Sequence, residues 1–234
     1  MRPSPTAGVP VDRVDWPTLL AHPGVVETVT LRSSFGFMAF HAGLEAGTGE
    51  VARDAADRCR ASLYTVTQPD QLRWHVPSAL VDPVGSRRLR DFLDHVDTVI
   101  TVHGYGRRSR PRDVLVGGSN RHLAAHVAVT LRDRLPAFRV LDDLDAIPPE
   151  LRGQHPANPV NRPVDGGAQV ELPLLARRAV RSGETGAAAL RVALSAALAD
   201  AASGWTAALA DASSGWTATG RAAPAPGARP TVRG

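Results

Sequence analysis

Apolar and polar positions along the chain follow two periods. Short apolar or alternating runs predict strands at residues 36–41, 63–66, 72–76, 98–103, 113–116, 138–141 and 168–172. The runs at 63–66 and 72–76 flank Gln68-Pro69-Asp70, a turn-forming triplet, and read as a paired hairpin. Between the strands, apolar residues recur at helical spacing. Val51, Ala55 and Cys59 predict a helix over about 49–61 that Thr48 can cap, with Cys59 as a small buried hydrophobe. Leu89, Phe92, Leu93 and Val96 mark a second helix over 86–96. Leu123, Val127, Leu131 and Leu135 mark a long third helix that Ser119 can cap, and a short one covers 174–181. Strands alternating with helices imply an α/β three-layer sandwich, with helices on both faces of a mixed, mostly parallel sheet.

The pattern weakens toward both ends. Residues 1–20 read as a loose lead-in, and 21–182 as the folded unit. After about 183 the chain turns to Ala, Gly, Ser, Thr and Pro, and two copies of an eleven-residue unit follow each other, 197–207 and 208–218. Two copies are too few for a solenoid, which needs about three or more. Helical propensity over 187–202 is interrupted by Gly204 and Gly215, and 221–234 is Pro-rich. The segment 183–234 is therefore expected to be a partly disordered tail.

Composition narrows the chemistry. The single Cys59 excludes a disulfide framework and any cysteine-built zinc or iron–sulfur site, so a bound metal must be held by His and carboxylates. No run reaches the roughly 18–20 apolar residues of a membrane span. No apolar segment follows the first arginine, so no secretory signal is visible and a cytoplasmic location is expected, with release or export left open. The pI of 10.4 suggests nucleic acid at first. All 27 cations are Arg, however, and they are scattered among 23 acids for a net charge of only +4. That distribution is background bias rather than a basic face, and it argues against a nucleic-acid partner.

Ligands of open α/β sheets gather beyond the carboxyl ends of the strands. The strand at 36–41 ends on His41, followed four residues later by Glu45; the strand at 98–103 ends on His103; the last carries Glu171. Two imidazoles and a carboxylate would satisfy a catalytic zinc, which takes three protein ligands and keeps a position open for water. Hydrogen-bonded histidines at strand ends would give the same spacing, so spacing leaves both readings standing. His122 and His126, four apart on a helix, lack an accompanying carboxylate and read as solvent-facing. His75 could line the cleft or pack at its rim. The run Arg107-Arg108-Ser109-Arg110-Pro111-Arg112 reads as a solvated loop or one bordering an anionic substrate.

The run His41-Ala-Gly-Leu-Glu45-Ala-Gly-Thr-Gly-Glu50 resembles the opening motif of the poly-γ-glutamate hydrolase family, phage-associated and bacterial zinc enzymes with a carboxypeptidase-like fold. The resemblance continues through Thr98-Val-Ile-Thr-Val-His-Gly104, Val116-Gly-Gly118, Asn158-Pro-Val-Asn-Arg162 and Gly166-Gly-Ala-Gln-Val-Glu-Leu-Pro173. Three residues separate His41 from Glu45, where carboxypeptidases place two. The resemblance implies one zinc per chain on His41, Glu45 and His103, and Glu171 as general base and acid. It implies an anionic poly-γ-glutamate or γ-glutamyl peptide substrate, whose carboxylates suit the bidentate fork of arginine. Arg162 with its neighbour Asn161, Arg121 and Arg107 are the expected substrate contacts, on a monomer without membrane association. Competing readings are a zinc amidohydrolase for N-acyl amino acids or cell-wall peptides, and a non-catalytic Arg-rich nucleic-acid binder.

Overall fold

The computed structural model describes residues 14–181 and 185–219. Seven strands form one sheet in the order β1-β3-β2-β4-β7-β5-β6. They are β1 (Val26–Thr30), β2 (Phe35–Ala42), β3 (Ser62–Thr67), β4 (Thr98–Tyr105), β5 (Asp113–Gly117), β6 (Arg139–Leu141) and β7 (Gly167–Pro173). The central β3, β2, β4 and β7 are mutually parallel, whereas β1 and β5 join antiparallel to their neighbours. The expected mixed, mostly parallel α/β sandwich is what the chain adopts.

Alternation along each strand divides the core. Phe37, Ala39, Ile100, Val102, Ala168 and Val170 face one side, where α2 (Thr48–Cys59), α4 (Arg121–Arg134) and α6 (Thr185–Thr219) pack. Met38, Phe40, Tyr64 and Val99 face the other, against α1 (Trp16–Ala21) and α3 (Arg87–His95). The remaining helix, α5 (Leu174–Arg181), follows β7 directly.

Four expectations change. First, 72–76 is not a strand. β3 pairs instead with β1, whose Val-Glu-Thr-Val-Thr alternation is confined to five residues at the sheet edge. The 72–76 segment joins no ladder; it packs on the core and its carbonyls accept from side chains, Gln68 Nε2 donating to Trp74 O and His41 Nε2 to Val76 O. Second, the caps shift by one residue. Asn120 rather than Ser119 caps α4, accepting from Leu123 N–H, and Gly47 occupies the α2 cap position. Third, residues 14–20 belong to the fold: Asp15 caps α1, and Trp16 and Leu19 are fully buried. Residues 1–13 lie outside the described part.

Fourth, the expected tail begins as a structural helix. α6 runs unbroken through Gly204 and Gly215. Each glycine costs about 1 kcal/mol in a helix interior, but tertiary packing overrides propensity where a face is buried. Leu194, Ala197, Leu198, Ala201 and Ala202 join the main core, and Arg191–Asp54 and Arg134–Asp200 ion pairs tie α6 to α2 and α4. The folded unit therefore extends past 182; residues 182–184 and 220–234 lie outside the described part. Contrary to the sequence expectation, Ala188–Asp211 is long and apolar enough by composition to cross a membrane, yet this buried face is what its apolar character serves. Leu198→Ala should lower stability by about 2–5 kcal/mol, measured by denaturant unfolding, because it opens a cavity under the sheet. A dispensable tail would show no change.

Candidate active site

The site begins with a break in β2. Its parallel register with β3 shifts between Ala39 and Ala42. An extra residue in a strand re-aims side chains; here Ala39 and Ala42 both join the core beneath α2, while Phe40 and His41 sit together at the strand end. Phe40 wedges edge-on against both imidazoles, with centroids 4.8 Å from His41 and 4.7 Å from His103. On β4 and β7 simple alternation suffices. His103 and Glu171 are register partners on adjacent parallel strands, and both leave the face opposite α2 and α4.

Glu45 arrives from the loop between β2 and α2. Gly43 (φ 87°) lets the chain fold back, and a Cβ there would lie 2.0 Å from Gln68 O, so no other residue fits. Glu45 N–H then donates to His41 O, and its own carbonyl accepts from Thr48 N–H and Oγ1. The carboxylate bridges both imidazoles: Oε1 is 3.1 Å from His41 Nδ1, and Oε2 is 3.2 Å from His103 Nδ1 while accepting from Gly104 N–H. One ligand atom from each of the three residues lies within 4.8 Å of the others.

The donor set fits a cation. His41 Nε2 lies 2.8 Å from Val76 O, an acceptor, so the ring proton sits on Nε2. That leaves the Nδ1 lone pair facing a carboxylate, two acceptors that need a proton or a metal between them. His103 Nε2 is buried without a partner among the described residues. Burial acts to lower the His41 pKa, but the Glu45 charge and the hydrogen bonds to Glu45 and Val76 together raise it. Burial likewise acts to raise Glu45, yet the flanking His41 and His103 hold it far below the usual carboxylate range.

Glu171 behaves oppositely. Burial pushes its pKa up to about 7, the Glu45 charge adds to this, and His103, Gln169 and Arg177 offset part of it. The four residues line one wall of a cleft of about 600 Å³, whose other walls include His75, Tyr105, Gln154 and Asn158. His75 lies on this cleft, its ring centroid 4.9 Å from that of His41.

Three of the expected substrate contacts are engaged within the chain. Arg121 donates to the carbonyls of Gly118 and Asp142, and Arg162 Nε to Ala157 O. Asn161 accepts from Ser119 N–H and donates to Gly153 O and His155 O, stapling the 153–161 loop to the start of α4. Arg107 pairs with Glu150, which lines the cleft, so Arg107 stands at its rim. The helical pair also separates: His122 is exposed, and His126 Nε2 donates to Ala201 O beside Trp205 on α6.

Two buried residues escaped the sequence reading. Arg177 on α5 donates to Tyr105 O and packs so closely on Gly104 that a Cβ there would lie 2.3 Å away, placing a fixed cation beside the end of β4, whose Gly104 N–H donates to Glu45. Gln169 donates to Glu171 Oε1. Arg177 is one arginine among many in the sequence and carries no separate signal. Gln169 was visible only as the position two before Glu171, hence on the same face of the strand.

The chain is thus a three-layer α/β sandwich whose strand-end crevice brings together a His–Glu–His cluster and a separate protonatable carboxyl. The chain belongs to the poly-γ-glutamate hydrolase family, which it matches over residues 19–186. Among solved structures, a bacteriophage poly-γ-glutamate hydrolase superposes with TM-score 0.65 at 21% identity, covering 79% of this chain and 90% of that one. Zinc-free, apo YNDL superposes with TM-score 0.62 at 21% identity, covering 75% and 89% respectively. The SPbeta prophage-derived UPF0714 protein YoqZ of Bacillus subtilis (strain 168) is 33% identical over 92 residues. That match covers 39% of this chain, which spans about a third (32%) of the length of this curated relative.

Proposed function

We propose that this protein is a zinc-dependent hydrolase of γ-glutamyl amide bonds, with poly-γ-glutamate as its substrate. The observation that carries the reading is the convergence of His41 Nδ1, the Glu45 carboxylate and His103 Nδ1 beside the buried Glu171. His41, Glu45 and His103 would hold one zinc, with Val76 O orienting His41 from outside. Zinc, when bound, polarises a carbonyl and brings the pKa of a coordinated water toward about 7.

Glu171 takes the proton from the attacking water and returns it to the leaving amine. A carboxyl at about 7 is suited to both transfers near neutral pH. His75 and Gln154 face the same space and can donate to the substrate's carboxylates, and Arg107 waits at the rim through Glu150. Arg121, Arg162 and Asn161 act by shaping the wall that carries Gly153, Gln154 and Asn158.

The test couples metal analysis to product analysis. One zinc per chain is expected, lost in both His41→Ala and His103→Ala. The intact chain should cleave poly-γ-glutamate and leave poly-α-glutamate whole. Equal cleavage of the two polymers would remove the γ-glutamyl assignment. A metal-free protein that binds DNA with steep salt dependence would remove the enzyme reading altogether.

A further inference from the structure

Between the 153–161 loop and Glu171 runs a chain of side-chain amides with a fixed sense. Val160 N–H donates to Asn158 Oδ1 at 3.3 Å, which commits the other end of that amide to donate. Asn158 Nδ2 donates to Gln169 Oε1 at 2.9 Å. Gln169 Oε1 is thereby used as an acceptor, and Nε2 must point at Glu171, donating to Oε1 at 2.9 Å. Amide oxygen and nitrogen are distinguished by the partners they meet, and here a backbone N–H sets the orientation of every link.

All three residues are buried: Asn158 is 2% exposed, Gln169 3% and Glu171 5%. Gly153 closes on the chain from above, and a Cβ there would lie 2.7 Å from Gln169 Oε1. Asn161 holds that glycine's carbonyl. The loop that supplies Asn158 is thus anchored independently of the cleft. Among the described residues, Glu171 Oε2 has no hydrogen-bond partner.

We propose that Gln169, oriented by Asn158, is a positioning residue that commits Oε1 of Glu171 to accept and leaves Oε2 as the atom that carries the proton. The attacking water gives its proton to Oε2, and Oε2 gives the same proton to the departing amine nitrogen as the amide C–N bond breaks. A carboxyl free to rotate would spend part of its time with the proton buried on the wrong oxygen. Pinning Oε1 removes that state, and small losses of placement at a reacting group can cost up to about 10²-fold in rate. The inference rests on the reading of Glu171 as the base.

Asn158→Asp and Asn158→Ala separate direction from packing. The aspartate variant keeps the shape of Asn but cannot donate, so Gln169 turns its NH₂ to the new carboxylate and its oxygen to Glu171. The alanine variant removes volume but imposes no reversal. If direction matters, kcat falls about 10–100-fold in Asn158→Asp and only a few-fold in Asn158→Ala, with KM within about twofold in both. Gln169→Leu should match Asn158→Asp, and the double variant should fall no further than Gln169→Leu. A role in packing alone predicts that Ala is the more damaging change.

A second readout does not depend on activity. In ¹⁵N-labelled, metal-free protein the Gln169 side-chain NH₂ signals should shift in Glu171→Gln and again in Asn158→Asp. Unmoved signals, or full kcat in Asn158→Asp, would overturn the proposal even if Gln169→Leu fails to fold. Should Glu171→Gln itself keep full turnover, the assignment of the base fails. A dead Glu171→Gln beside fully active Asn158→Asp and Gln169→Leu would instead overturn the amide chain alone.

Discussion

Glu171→Gln should cut turnover of poly-γ-glutamate by about 10²–10⁴-fold while zinc content and KM stay close to those of the parent chain. Gln is nearly isosteric with Glu, and the residue sits on β7 rather than among His41, Glu45 and His103, so the cluster has no reason to change. What is lost is a buried carboxyl in the cleft wall that is poised to exchange a proton near pH 7. Steady-state kinetics with parallel metal analysis check this, and full turnover would remove Glu171 from the mechanism.

The same carboxyl should leave a mark on stability. Its folded pKa, about 7, lies above the ordinary value of 4.5. Between those values the unfolded chain has released its proton while the folded chain retains it, so stability falls as pH rises. The contribution is fully present below about 4.5 and gone above about 7. At about 1.4 kcal/mol per pKa unit it amounts to roughly 3 kcal/mol. Other groups act in different windows. Glu45, with a depressed folded pKa, loses its contribution only as pH drops below about 4.5, and His41, with a raised one, loses its own above about 6.5. Denaturant unfolding of metal-free parent and Glu171→Gln at pH 4.5 and 7 isolates the term. The parent should lose about 3 kcal/mol relative to the variant, and a constant difference would contradict the burial of Glu171.

The sequence was most legible where local periodicity and burial agree. The apolar runs of β2, β4 and β7, and the face of α4, follow directly from spacing. His41, Glu45, His103 and Glu171 were visible because strand ends and a glycine-bearing loop point them to one place. Less was legible where tertiary contact overrides a local rule. Residues 72–76 alternate like a strand but spend their carbonyls on Gln68 and His41. Gly204 should break a helix, yet α6 continues through it, with its buried face just before the glycine and Trp205 packed on the core just after. The arginines were less legible for a related reason. Spacing places a residue in the chain but does not say whether a nearby carbonyl will claim its guanidinium, as Gly118 O claims that of Arg121.

The duplicated unit acquires a meaning once α6 is seen as one helix. Eleven residues make just over three full turns, so a repeat of that length returns to the same azimuth with an offset of only about 20°. Residues 208–218 thus add about 16 Å of helix beyond the stripe seated on α2 and α4, whose last members are Ala202 and Trp205. In such a helix, length and packing are decoupled. Residues added or removed at its far end leave the covered face of the sheet in place, because the α6 residues of the main core all lie before 206.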